Sequence, residues 1–121
     1  MKKTVIVGAS PNKGRDAYLA AELLTEHGHE IVPLGIKKGE VSGKLILDIR
    51  QQPTIDDVDT ITMYVGPRHQ PSLYEYLLSL KPARMIFNPG SENEEFERLA
   101  SQKGIDVEEA CTLVLLRTGQ Y

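Results

Sequence analysis

The stretch Gly8-Ala9-Ser10-Pro11-Asn12-Lys13-Gly14-Arg15 contains the residue types that hold a phosphate. It follows a short β-branched run, Thr4-Val5-Ile6-Val7, and leads into a helical pattern. Gly8, Ala9 and Ser10 leave the backbone uncluttered, so a pyrophosphate can approach its N–H groups. The helix N-terminus beyond them carries partial positive charge and unpaired donors. Ser10 adds a hydroxyl, Asn12 an amide, and Lys13 and Arg15 full charges. A guanidinium can grip phosphate oxygens with two parallel bonds. The plainer alternative is that Ser10 or Asn12 caps the helix and the two cations are solvated.

The familiar phosphate cradles do not fit. A dinucleotide fingerprint, G-x-G-x-x-G, starting at Gly8 would place its other glycines at Ser10 and Lys13. The acid expected after the second strand is missing, because the chain there reads Leu34-Gly35-Ile36-Lys37-Lys38. NAD is therefore a poor candidate. A P-loop fails as well: Gly8 and Gly14 are one residue too far apart, and Arg15 stands where Lys-Ser/Thr should follow. Lys37 and Lys38 point elsewhere. Positive charge at the ribose position favours a ribose phosphate over a free diol. NADP, with a 2′-phosphate, and coenzyme A, with a 3′-phosphate, both supply one. An ordinary basic turn is the competing explanation. A further loop, Asn88-Pro89-Gly90, opens a segment with Glu92, Glu94 and Glu95. Those acids suit a helix start but repel phosphate. This loop fits an uncharged part of a ligand, such as a pantetheine arm, or a simple turn.

These residues need a scaffold. Thr4–Val7, Glu30–Leu34, Asp59–Val65, Arg84–Phe87 and Ile105–Val107 read as strands, with Lys44–Leu47 a short strand at a sheet edge. Arg15–His27, Gln70–Leu80 and Glu92–Lys103 read as helices, the first and third stopped by Gly28 and Gly104. Gly35–Gly43 reads as a loop, and Thr112–Leu116 as an apolar element of open type. Strands alternating with helices predict an α/β fold: three layers around a doubly wound, mainly parallel, five-stranded sheet. In such sheets ligands sit beyond the carboxyl ends of the strands. That rule selects Gly8–Gly14, Gly35–Gly39, Val65–His69 and Asn88–Ser91.

A chain of 121 residues predicts a single domain spanning 1–121. A net charge of −3 with no basic stripe argues against nucleic acid. The apolar run after Met1-Lys2-Lys3 stops at Gly8, too short for a signal core or a membrane span. One cysteine, Cys111, excludes an internal disulfide and fits a cytoplasmic location. Cys111 could exchange with a ligand thiol, but a small buried hydrophobe is the simpler reading. His27, His29 and His69 are too scattered for a metal site, although His69 lies in a ligand loop. Asp56, Asp57 and Asp59 read as solvated, and Tyr64 and Tyr74 as core or rim. No nucleophile, base and orienting group come together, so no catalytic residue is assigned and a binding module ranks above an enzyme. Leu113–Leu116 offers an apolar surface on which two chains could pair.

"VGASPNKGRDAYLAAELLTEHGHEIVPL", "YVGP", "NPGSENEE" and "GIDVEEACTLVLLR", in that order, resemble the CoA-binding domain family. These are small Rossmann-like proteins similar to the CoA-binding domain of the succinyl-CoA synthetase α subunit. The resemblance implies a phosphate-facing loop of Gly8, Ala9, Ser10, Asn12, Lys13 and Arg15. It implies Lys38 near the nucleotide end of CoA, Val65 and Pro67 beside the adenine or ribose, and Asn88, Pro89 and Gly90 along the pantetheine arm. Cys111 matches a cysteine common near the end of these proteins. The sequence departs from the family at Pro33-Leu34-Gly35-Ile36, where Pro-Val-Asn-Pro is frequent, and at Asn88, where Gln is. The phosphorylated histidine and partner subunit of the synthetases are not encoded, so their reaction is not implied. The expectation is a protein that binds CoA or an acyl-CoA. An NADP-dependent reductase is the alternative, and a regulatory domain that has lost its ligand is a third possibility.

Overall fold

The computed structural model describes all 121 residues. Its centre is a parallel sheet of six strands: β1 (Thr4–Val7), β2 (Ile31–Gly35), β5 (Leu47–Asp48), β6 (Thr60–Met63), β7 (Arg84–Phe87) and β8 (Asp106–Glu109). They lie in the order β5-β2-β1-β6-β7-β8, and every neighbouring pair is parallel. Renumbered within the sheet this is 3-2-1-4-5-6, the Rossmann order. The five expected strands are present, and the sixth is the edge strand β5, only two residues long.

β1, β6 and most of β7 are buried on both faces, which explains their continuous apolar and threonine runs. Ile6 points to one layer, with Ala17, Ala21 and Leu24 of helix α1 (Asp16–Glu26) and Leu116 of helix α4 (Thr112–Arg117). Val5, Val7, Ile61, Met63, Met85 and Phe87 point to the other. There they meet Leu77 of helix α2 (Tyr74–Ser79) and Phe96 and Ala100 of helix α3 (Glu94–Gln102). The apolar element of open type is thus α4, packed beside α1.

Small residues at positions 17, 20 and 21 let α1 lie close on the sheet. The helix stops where Gly28, at φ +81°, donates to Thr25 O while His29 N–H reaches back to Leu24 O. Two elements differ from the sequence reading. Gly35–Gly43 contains β3 (Glu40–Val41), which forms an antiparallel hairpin with β4 (Lys44–Leu45) through Ser42 and Gly43, both at positive φ. The segment expected as one strand over Lys44–Leu47 is therefore split between that hairpin and β5. The helix expected from Gln70 begins only at Tyr74. Pro67 and Pro71 each open a separate 3₁₀ turn, because proline fixes φ and withholds an N–H.

Phe96 ties α3 to the sheet. It is fully buried, stacks on Tyr74 at 4.4 Å between ring centres and meets Phe87 edge-on at 5.8 Å. Phe96→Ala is expected to cost about 3–5 kcal/mol by leaving a cavity among rigid neighbours. Urea denaturation of the two proteins gives the difference directly.

Candidate functional site

β1 has β2 on one side and β6 on the other, and the helices that leave β1 and β6 pack on opposite faces. A crevice must open above the carboxyl end of β1. The structure has a cleft of about 660 Å3 there. The first loop contributes Gly8, Ser10 and Gly14, and the start of α1 adds Arg15, Asp16 and Ala17. Ile36 and Lys37 come from the loop after β2, Tyr64, Val65, Gly66 and His69 from that after β6, and Pro89, Gly90 and Ser91 from that after β7.

Gly8 makes the turn out of β1 at φ +95°. A Cβ there would stand 3.0 Å from Tyr64 O and 3.0 Å from Val65 Cγ2. The N–H groups of Gly8 and Ala9 both donate to Leu34 O, at 2.9 and 3.1 Å. The loop beyond folds on its own side chains. Ser10 Oγ accepts from Asn12 N–H, and Asn12 Oδ1 accepts from Gly14 N–H, each at 3.0 Å. Neither side chain caps the helix. The N-cap position is Arg15, whose side chain makes no cap bond; Tyr18 and Leu19 N–H turn back to Arg15 O at 3.0 and 3.2 Å, and the N–H groups of Asp16 and Ala17 stay free. The contrast with α3 is direct. Asn93 Oδ1 accepts from Phe96 N–H at 3.1 Å and the Glu97 carboxylate accepts from Asn93 N–H at 2.9 Å, a reciprocal side-chain cap that α1 lacks. Glu92 also folds back to accept from Gly90 N–H at 2.7 Å.

Lys13, Arg15, Lys37 and Lys38 are all exposed, and none has a carboxylate within ion-pair distance. Arg15 and Lys37 face the cleft. Lys13 and Asn12 stand outside its lining, as do Pro67, which begins a 3₁₀ turn, and Ala9, which is buried under α1. Lys38 also lies off the lining. Its charge reaches Asp48, whose carboxyl is held below the usual range by Arg50 first and by Lys38 as a minor contributor. Of the sequence-selected residues, the structure gathers Gly8, Ser10, Arg15, Val65, Pro89 and Gly90 around one space.

Asn88 does not face that space. It is buried, and its amide nitrogen donates to Thr62 Oγ1 at 2.7 Å and Met63 O at 2.9 Å. Its amide oxygen accepts from Thr112 N–H at 2.8 Å, so β6, β7 and α4 are tied at one point. Ile36, Tyr64 and Ser91 line the cleft with no role expected from sequence; Lys37, expected as charge at the ribose position, and His69, expected in a ligand loop, line it too. Ile36 and Ser91 lie in loops that the carboxyl-end rule selects, which is the signal that finds them. Tyr64 lies one residue before such a loop. Its hydroxyl is buried without a hydrogen-bond partner, and burial pushes its pKa up, so it stays an O–H donor through neutral pH. Cys111 is half-buried at the N-cap of α4, outside the cleft lining.

A family described as the CoA binding domain matches residues 2–117. The chain belongs to that family. No curated protein matches it significantly in sequence. Among solved structures, an uncharacterized protein shares 55% identity over 100% of this chain and 98% of its own, at a TM-score of 0.96. A hypothetical protein from Pyrococcus horikoshii OT3 is 24% identical at TM-score 0.84, covering 97% of this chain and 82% of that one. A protein from Thermus thermophilus is 20% identical at TM-score 0.83, covering 99% and 90%. The last two likenesses establish the fold alone.

Gly8→Ala tests the crevice. The added methyl meets Tyr64 O, and the positive φ strains any L side chain. The substitution is expected to lower stability by about 1–3 kcal/mol. Thermal unfolding monitored by circular dichroism measures the loss.

Proposed function

We propose that this protein binds coenzyme A or an acyl-CoA in the cleft above β1. The observation that carries the reading is the uncapped first turn of α1, which opens into the cleft beside the unpaired Arg15 and across from the unpaired Lys37. A helix end with free donors and a nearby guanidinium is chemistry for pyrophosphate. Asp16 in the same turn works against an anion, so the two cations have to outweigh it. Lys13, exposed beside the loop, adds charge that can swing toward a bound phosphate. Lys37 takes the position beyond β2 where a ribose phosphate lies, with Lys38 reinforcing the field from outside. The absence of an acid after Gly35 disfavours a ribose diol at that point. Val65 and Gly66 on one side and Pro89 to Ser91 on the other offer a slot without formal charge for the pantetheine arm. The family description points to the same ligand.

Isothermal titration with CoA, dephospho-CoA and NADPH tests this reading. Selective binding of CoA supports it, and binding of NADPH alone moves the reductase reading ahead. Arg15→Ala is expected to weaken CoA about 10- to 100-fold, the range of a lost charge-assisted hydrogen bond. An equal loss for dephospho-CoA places Arg15 on the pyrophosphate, and a smaller one places it on the 3′-phosphate. Lys37→Ala is expected to weaken CoA and leave dephospho-CoA unchanged.

A further inference from the structure

Gln70 has no exposed surface, although glutamine is a residue that folded chains keep mostly in water. Its amide nitrogen donates to Val65 O and to Ser91 O, each at 2.8 Å. Its amide oxygen accepts from Asn93 Nδ2 at 2.9 Å. The orientation of the amide is fixed, because two backbone carbonyls can only accept and the nitrogen must face them. Asn93 Nδ2 gives its second proton to the Tyr74 hydroxyl at 2.8 Å, and that hydroxyl donates to Glu95 Oε1 at 3.0 Å. Every donor along this line has an acceptor, and the line begins at the cleft.

Val65 and Ser91 belong to the two loops that leave β6 and β7, and both line the cleft. They are 26 residues apart in sequence, and no strand ladder joins them, since β6–β7 pairing ends at Met63 and Phe87. Gln70 bridges them where the sheet no longer does. An apolar side chain would fill the same volume without the cost of burying an amide. What the amide adds is geometry: one rigid group holds two carbonyls at a set separation.

We propose that Gln70 is a positioning residue, which fixes the spacing of Val65–Gly66 and Pro89–Ser91 and so sets the width of the slot that receives the ligand's arm. The proposal rests on the CoA-binding reading. Gln70 touches no ligand and acts through the two loops that do.

Two substitutions test it. Gln70→Met keeps the length and removes both donors. Gln70→Glu keeps the shape but sets a carboxylate, which only accepts, against two carbonyls. Each variant is titrated with CoA well below its unfolding temperature, so that only folded protein is measured. The dissociation constant is expected to rise about tenfold for Met, as two buried carbonyls lose their donor, and further for Glu. Amide resonances of Gly66, Gly90 and Ser91 are expected to move, while those of Gly8 and Ser10 stay. A folded Gln70→Met protein with the unaltered chain's affinity overturns the proposal, even where its melting temperature falls, because the amide would then serve stability alone. If neither variant folds, Asn93→Asp carries the test: it keeps the acceptor that caps α3 and removes the donor to Gln70 Oε1. An affinity loss of twofold or more is then expected, and an unchanged affinity overturns the proposal. Failure of the unaltered chain to bind CoA overturns the CoA-binding reading itself, and this proposal with it.

Discussion

The site depends on one topological constraint. β1 lies between β2 and β6, and the helices after β1 and β6 leave for opposite faces of the sheet. Above Gly8 the chain therefore diverges in two directions, and no segment covers the gap. Gly8 makes that divergence possible. It turns out of β1 at positive φ and lets the backbone at Tyr64 come within a distance that a Cβ would forbid. The same turn aims the first loop so that α1 begins at the rim of the crevice, where Arg15, Asp16 and Ala17 line it.

The two sides of the cleft are held by different physics. On the α1 side the polar side chains of Ser10 and Asn12 are used to fold the loop, and the helix end stays uncapped. On the α3 side two buried amides do the holding. Asn88 ties β6, β7 and α4, and Gln70 ties the loops above them. Asn93 caps α3 through Phe96 N–H, Glu97 takes the N–H of Asn93 itself, and Glu92 takes that of Gly90 in the loop before. α3 thus carries a side-chain cap and α1 carries none, although both open at the same edge of the sheet.

Much of this was legible in the sequence. Thr4–Val7 and Arg84–Phe87 are strands with the expected bounds, because a strand buried on both faces writes itself as an unbroken apolar run. The alternation of strands and helices carries the layer order with it. The hairpin of β3 and β4 was not legible, since two residues per strand leave no period to detect. α2 starts late because two prolines outweigh the helical spacing of Leu73, Leu77 and Leu80. Within the site the loops were legible and the side-chain directions were not. Lys37 faces the cleft and Lys38 does not, a one-residue difference that a loop of glycines and lysines does not encode. Local pattern marks Gln70 only as the start of a helix, because its partners come from carbonyls 5 and 21 residues away.

The division between the two sides bears on selectivity. Exposed lysine and arginine side chains tolerate several phosphate positions, since long flexible cations follow the anion they meet. On the CoA-binding reading, discrimination at that end would therefore be coarse, between a phosphorylated ribose and a bare diol. The opposite side is built from backbone and small side chains locked by buried amides, and it can discriminate by shape, because its width cannot relax without leaving a carbonyl unpaired. A ligand with a highly charged head and a slender uncharged arm uses both. On the CoA-binding reading, a second bulky ring system in place of the arm would press on Val65–Gly66 and Pro89–Ser91, the segments that Gln70 holds through Val65 O and Ser91 O. On the same reading, charge would bring a nucleotide to this cleft and the rigidity of the far wall would select among nucleotides.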